Sequence, residues 1–281
     1  MQLSDRQKGT LCVLAAALLF SLGGLGIKLI PWAPLAINGA RNTIATLVIG
    51  LYLLKIKHKI VINASVLIGA ASMCATTTLF VIANKTTTAA NAIVLQFTAP
   101  VFLILIMWAL YRERPTKLDI IACVAVLAGI SCFFIDGLRA GGMLGNVLAL
   151  VSGATYAGVF MMNALPGSDS LSSILIGQIV SALIGLPYLF QVRDFAASTL
   201  VAVLLMGVFQ LAVAYIFLSI GLQHTSPVTA SLTTGIEPIL NPLWVALFYH
   251  EKVTPLSFVG GIIVVGAIVI YNVKKAQMQK I

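Results

Sequence analysis

Ten long apolar runs, separated by short polar breaks, set the pattern of the chain: 9–30, 35–54, 61–83, 89–110, 118–134, 143–162, 171–190, 196–221, 226–249 and 254–271. A hydrocarbon core of about 30 Å takes about 20 apolar residues per helical crossing. Each run therefore predicts one membrane-spanning helix, and the whole predicts an all-α polytopic membrane protein with ten transmembrane helices. The connections are a few residues long, which leaves no room in them for a soluble catalytic or regulatory domain.

The runs repeat. At an offset of 138, Pro100 meets Pro238, Tyr111 meets Tyr249, Glu113 meets Glu251 and Thr116 meets Thr254, and from 82 to 130 eleven of forty-nine aligned positions are identical without a gap. Two five-helix units are expected, residues 1–138 and 139–281. Five is odd, so the second unit enters the membrane from the opposite side and the repeats are inverted. An inverted pair packs in two related ways of similar energy, one open outward and one inward, which is the basis of alternating access.

Composition agrees with a lipid solvent: 60% of residues are hydrophobic and 9% charged, against roughly 45–50% and 25% in soluble domains. Basic residues favour the cytoplasmic side. With the N-terminus inside, eleven of them (Arg6, Lys8, Lys55, Lys57, Lys59, Arg112, Arg114, Lys117, Lys274, Lys275, Lys280) fall inside and five (Lys28, Lys85, Arg139, Arg193, Lys252) outside. Both termini are expected in the cytoplasm and the protein in a bacterial-type plasma membrane. The net charge of +9 then reflects topology, and the scatter of basic residues over loop ends speaks against nucleic acid. Residues 1–8 are too short and polar for a cleaved signal. Cys12, Cys74, Cys123 and Cys132 lie inside spans, and neither they nor His58, His224 and His250 have metal-ligand spacing. No Gly-x-Ser-x-Gly motif or aspartate cluster marks an enzyme. No cofactor, metal or obligate protein partner is expected.

Each half ends in a small and polar stretch, then Pro, then an apolar run and a basic-flanked Glu, at 90–114 and 228–252. With the 20–28 stretch of span one and Arg41 in span two, the chain resembles the drug/metabolite transporter superfamily, EamA type. Phe20 stands where that family often has Trp. The resemblance implies the two-repeat fold, a central cavity between the halves and transport of small solutes, with export as the direction.

Particular residues sharpen the expectation. Pro100 and Pro238 each remove a backbone donor inside a helix and block the carbonyl four residues earlier, that of Gln96 or Thr234. In lipid those carbonyls need a partner, so both positions are expected to face a wet interior and act as hinges, with Pro242 adding a second weak point to span nine. Glu237 is the acidic residue near the centre of a span, where a charge costs several kcal/mol unless it is neutralised, paired or wetted; its offset mate is Ala99. It reads as a proton-carrying carboxyl, an anchor for an amino group, or a structural partner of Arg41. Arg41 in turn pairs, meets an anionic solute group or snorkels to the outer interface, while Lys28 is an interfacial anchor.

Uncharged polar residues mark the expected cavity wall: Ser21, Thr76, Thr77, Thr78, Asn91, Gln96, Thr98, Thr155, Gln178, Gln210, Thr229, Thr233 and Thr234. Thr229, Thr233 and Glu237 share a helical face at i, i+4, i+8. For any single Ser or Thr, helix packing or a bond to its own backbone is the plainer role. Phe20, Phe80, Phe97, Tyr156, Phe160 and Tyr215 are candidates to stack on a ligand or meet a cation. The expected function is a carrier of small zwitterionic or amine-bearing metabolites such as amino acids, with protons as a candidate coupling ion. Two competitors stay open: uptake of a quaternary amine, and a non-transporting membrane scaffold or sensor.

Overall fold

A computed structural model describes residues 4–112, 114–137, 143–249 and 255–278. They form α1 (Asp5–Phe20), α2 (Gly23–Leu29), α3 (Pro34–Lys55), α4 (Ala64–Thr86), α5 (Ala89–Gln96), α6 (Ala99–Tyr111), α7 (Lys117–Gly137), α8 (Met143–Phe160), α9 (Ser170–Leu189), α10 (Ala197–Leu205), α11 (Ala214–Leu222), α12 (Pro227–Thr233), α13 (Glu237–Tyr249) and α14 (Pro255–Met278). A π-helical stretch, Met206–Val213, joins α10 to α11, and a 3-10 turn, Thr234–Ile236, joins α12 to α13. No strand occurs among the described residues. Glu113, Arg139, His250, Glu251, Lys252, Thr254 and Lys280, and the boundary at 138/139, lie outside them.

Six stretches among the described residues have the length and hydropathy of a membrane crossing: Asp5–Leu29, Ala64–Thr86, Ala89–Tyr111, Met143–Phe160, Ser170–Leu189 and Ala197–Leu222. Of the other expected spans, α3 carries Asn38, Arg41 and Asn42 in its first half, which lowers its hydropathy, and the α12–α13 rod is divided by its 3-10 turn. The surface suits lipid. Leu47, Leu51, Ile121, Leu183 and Phe190 are exposed, whereas Asn38, Asn42, Asn84, Gln178, Thr234 and Asn241 are fully buried. A water-soluble protein arranges these the other way.

Polar residues just before the rods start them. Ser4 caps α1 in a capping box with Gln7, Asn63 caps α4 and Asp169 caps α9. Thr88 caps α5 by accepting from the Asn91 N–H, and Ser226, 138 positions later, caps α12 by accepting from the Thr229 N–H. Asp169 Oδ1 also lies 3.0 Å from His58 Nε2, which ties the end of α3 to the start of α9. Burial pushes the Asp169 carboxyl up, but the hydroxyl and N–H of Ser172 together with His58 outweigh it and hold the group below its ordinary value.

Packing repeats with the sequence. α3 lies on α9, its offset mate, and α7 on α14, where the Tyr271 hydroxyl donates to Asp119 Oδ1 at 3.0 Å. α4 packs on α8 as α11 packs on α1, and α4 packs on α9 as the π stretch packs on α3. The small-residue contacts nearly repeat too: Gly145 of α8 abuts Thr86 and Thr87, and Gly9 of α1, two residues off the 138 register, abuts their offset mates His224 and Thr225. The α3/α9 pair is antiparallel, because Gly39 touches Gly185 near one end and His58 meets Asp169 at the other. Gly39 and Gly185 meet backbone to backbone, so a Cβ on Gly185 would lie 2.3 Å from the Gly39 Cα.

Candidate functional site

Four of the rods break near their middles, and the breaks converge. The first rod breaks at Ser21–Leu22 between α1 and α2, and the fourth at Phe97–Thr98 between α5 and α6, two residues before Pro100. The eighth widens into the π stretch, and the ninth tightens into the 3-10 turn just before Glu237 and Pro238. Such departures from α geometry cluster at functional sites. The residues beside them, Phe20, Gln96, Gln210, Leu211 and Glu237, line one cavity together with Arg41 of α3, Thr76, Thr77 and Phe80 of α4, Tyr156 of α8 and Tyr215 of α11. The cavity volume is about 20 Å³. Since ~10–15 Å³ admits one water, this conformation has room for a water or two rather than for a metabolite.

Arg41 is 1% exposed, which overturns the snorkelling expectation: the guanidinium points inward. Its Nη1 donates to Gln210 Oε1 at 3.3 Å and its Nη2 to the Thr77 carbonyl at 3.4 Å, while Nε has no partner. Glu237 is buried on the same wall, and its Oε2 has no partner either. Among the described residues no ion pair joins the two, so the expected structural Arg41–Glu237 pair is not formed. Tyr215 meets Phe20 edge to face at 4.7 Å, and Tyr156 meets Phe160 at 4.7 Å. The wall therefore carries one cation, one carboxyl and aromatic rings.

Gln96 is held from outside the cavity: its Nε2 donates to Ser152 Oγ at 2.7 Å, and Ser152 Oγ donates to the Thr76 carbonyl. Thr76 Oγ1 donates to Thr155 Oγ1 at 2.9 Å. The Gln96 carbonyl freed by Pro100 lies against Gly153 of α8, where a Cβ would approach it to 2.8 Å. The Thr234 carbonyl freed by Pro238 accepts instead from the Glu237 N–H, which closes the 3-10 turn.

The cavity wall thus gathers Phe20, Arg41, Thr76, Thr77, Phe80, Gln96, Tyr156, Gln210, Tyr215 and Glu237 from the predicted set. The others lie elsewhere. Ser21 accepts from Trp244 Nε1 at 2.9 Å and donates to the Leu18 carbonyl. Asn91 lies 3.4 Å from Asn146 Oδ1. Thr233 bonds a carbonyl of its own helix, Thr98 and Thr234 bond carbonyls of the helix just before their breaks, and Thr229 sits in the Ser226 cap. Gln178 is buried in α9 with both side-chain ends unpartnered. The stripe of Thr229, Thr233 and Glu237 does not continue as one α-helical face, because the 3-10 turn intervenes. Pro100 and Pro238 are buried beside their breaks; Pro242 lies inside α13.

One residue of interest was missed. Asn241, one turn after Glu237, is fully buried with both carboxamide atoms unpartnered, pressed against Gly24 of α2. Its signal in the sequence was an amide where the offset mate, Leu103, is apolar. Lys28, expected at the interface, donates to the Thr87 carbonyl at 3.1 Å, and Lys85 donates to the Ile30 carbonyl at 2.6 Å, so each lysine closes the end of the other's helix.

Against known proteins, the model of the EamA-like transporter family matches this chain twice, over residues 7–135 and 143–273. The uncharacterized transporter YwfM of Bacillus subtilis (strain 168) is 27% identical over 209 residues, which is 70% of this chain and 69% of that protein. A crystal structure of a protein 16% identical in sequence has the same fold, with a TM-score of 0.78 over 96% of this chain and 98% of the other.

Proposed function

The chain belongs to the EamA-like transporter family, a multi-pass membrane transporter, and we propose that it carries small zwitterionic or amine-bearing metabolites such as amino acids by alternating access. In this reading ten spans form two inverted five-helix repeats, 1–138 and 139–281, in a bacterial-type plasma membrane with both termini in the cytoplasm. The exchange of packing partners between the halves and the antiparallel α3/α9 pair support the inversion. Export is the direction that the family resemblance implies.

The observation that carries the substrate class is the unpaired placement of Arg41 and Glu237 on one cavity wall. A guanidinium with a free Nε and a carboxyl with a free Oε2 offer opposite charges to the two ends of a zwitterion, and the aromatic rings take its apolar part. Binding energy is then greatest for a solute that satisfies both, since leaving either charged group buried and unpaired is costly. The small cavity corresponds to a closed stage of the cycle, with Pro100 and Pro238 as the hinges that widen it. Protons arriving at Glu237 are the companion reading for coupling.

Counterflow of labelled solutes into sealed vesicles holding the purified protein tests this. Zwitterionic amino acids are expected to exchange above the level of empty vesicles, and exchange of a zwitterion is expected to fall at least tenfold in Arg41→Gln. A panel in which only quaternary amines move transfers the proposal to the cation reading, for which the Phe20–Tyr215 pair beside Glu237 speaks. No flux of any solute leaves a scaffold.

A further inference from the structure

We infer that the break in the first rod, together with Glu237 and Asn241 of α13, forms a binding site for a monovalent alkali cation, Na⁺ in the first place, beside the solute cavity. Three observations converge there. The first is the backbone. Between α1 and α2 the N–H of Ser21 returns to Ala17 and that of Leu22 to Leu19, while the Leu22 carbonyl accepts from the Gly26 N–H. The Ser21 carbonyl takes no part in these bonds. It lies just past the C-terminal end of a sixteen-residue helix, where the peptide dipoles add a partial negative charge. Broken helices present carbonyls to cations in the same manner wherever they line a cavity within a membrane.

The second observation is what faces that backbone. Asn241 lies against Gly24, so close that a Cβ there would come within 2.2 Å of its Oδ1. Its carboxamide is fully buried and bonds to nothing. A buried amide left unpartnered is costly, and this one differs from the other such amides in standing beside a broken helix and one turn from a carboxylate. Glu237, one helical turn earlier and therefore on the same face of α13, brings a carboxylate whose Oε2 is equally buried and unpartnered.

The third is charge. Arg41, the cation on the cavity wall, is engaged by Gln210 and the Thr77 carbonyl and not by Glu237. A single carboxylate among neutral oxygens balances one positive charge; a divalent ion would leave one charge uncompensated in a medium where that is expensive. The described residues hold no group of three His, Cys, Asp or Glu of the sort that takes a divalent or transition metal. Oxygen-only donors exclude soft metals as well. The proton, Na⁺ and the amino end of a zwitterion would therefore compete for the Glu237 carboxylate, each displacing the others.

The binding site stands on this geometry, and only its use in driving a solute rests on the carrier reading. The test uses the purified full-length protein in detergent, melted in NaCl or in choline chloride at equal ionic strength, with ²²Na⁺ retention measured in parallel. A saturable rise in Tm specific to Na⁺ is expected, of roughly 3–10 °C at ten to a hundred times the Kd. Asn241→Ala and Glu237→Gln are expected to lose both the rise and the retained ²²Na⁺ while still melting cooperatively in choline chloride, which shows that they fold. A Tm indifferent to the identity of the cation, or Asn241→Ala retaining ²²Na⁺ like the parent, overturns the site. Vesicle flux separates the two readings. Solute exchange without any Na⁺ binding overturns the site and leaves the carrier, whereas Na⁺ binding without solute exchange upholds the site and removes the carrier.

Discussion

Arg41 of α3 donates to the Gln210 carboxamide of the π stretch at 3.3 Å, joining residues 169 positions apart across the cavity. The π stretch places that carboxamide at the cavity wall, on the guanidinium and against Gly23 of α2, where a Cβ would lie 3.1 Å from its Nε2. Gln210→Ala leaves one arm of a buried cation without its acceptor, at a cost of about 1–3 kcal/mol. A drop in Tm of about 2–10 °C is expected, together with weaker solute binding, both readable by thermal melting with and without solute.

The Gly39–Gly185 contact allows no side chain on either helix. Gly185→Ala forces a methyl to 2.3 Å from the Gly39 Cα, and because backbone cannot yield as a flexible side chain does, overpacking costs about 1–3 kcal/mol. Gly50, in the same helix α3, has nothing within 4 Å of its missing Cβ. Gly50→Ala is therefore expected to raise Tm slightly, by up to about 1 kcal/mol of helix propensity, where Gly185→Ala lowers it. Melting the two variants side by side checks the sign.

Pro238→Ala returns an N–H to the ninth rod and permits the 3-10 turn to relax to α. Three residues at 120° each rather than 100° differ by about 60° of rotation, which swings Glu237 around the helix axis and away from its place on the wall. Solute exchange is expected to fall about tenfold or more with little change in Tm. Unchanged exchange removes the hinge role of the proline.

Asp169 ties α3 to α9 and caps α9, and its folded-state value lies below the ordinary one. Its contribution is complete above the unfolded-chain value of about 3.9 and drains as pH falls through the lower folded value. Asp169→Ala is expected to cost about 0.5–2 kcal/mol at neutral pH, and the gap in Tm between it and the parent is expected to close below about pH 4.

The helices were legible because lipid imposes their length and apolar character, and the repeat because two prolines and two glutamates fall on one offset. Arg41 and Glu237 were legible as costs, being charged letters inside apolar runs. Their separation was not, since it depends on Gln210 and Thr77 taking the guanidinium, a contact set by how α3 crosses α4 and the π stretch. The prolines announced two of the four breaks. The break at Ser21–Leu22 and the π stretch carry no proline and arise from tertiary packing, in which Gly23, Gly24 and Gly26 let Gln210, Asn241 and Met206 press onto α2. For the same reason Asn241 stayed hidden: its meaning lies in the backbone it touches. The threonines went the other way, because a hydroxyl in lipid most cheaply bonds the carbonyl one turn back in its own helix.

The exchange of lysines between α2 and α4 closes a loop at the end of the first rod. With Lys28 on the Thr87 carbonyl and Lys85 on the Ile30 carbonyl, the C-terminal end of α2 is stitched to α4, while its glycines carry Gln210, Asn241 and Met206 from far along the chain. In the proposed cycle a tilt of one repeat against the other pulls this short helix from both sides, and the rod yields where it is already parted, at Ser21 and Leu22. The Ser21 carbonyl moves with that joint, which in the proposed carrier makes it the place where movement and ion occupancy are felt by one another.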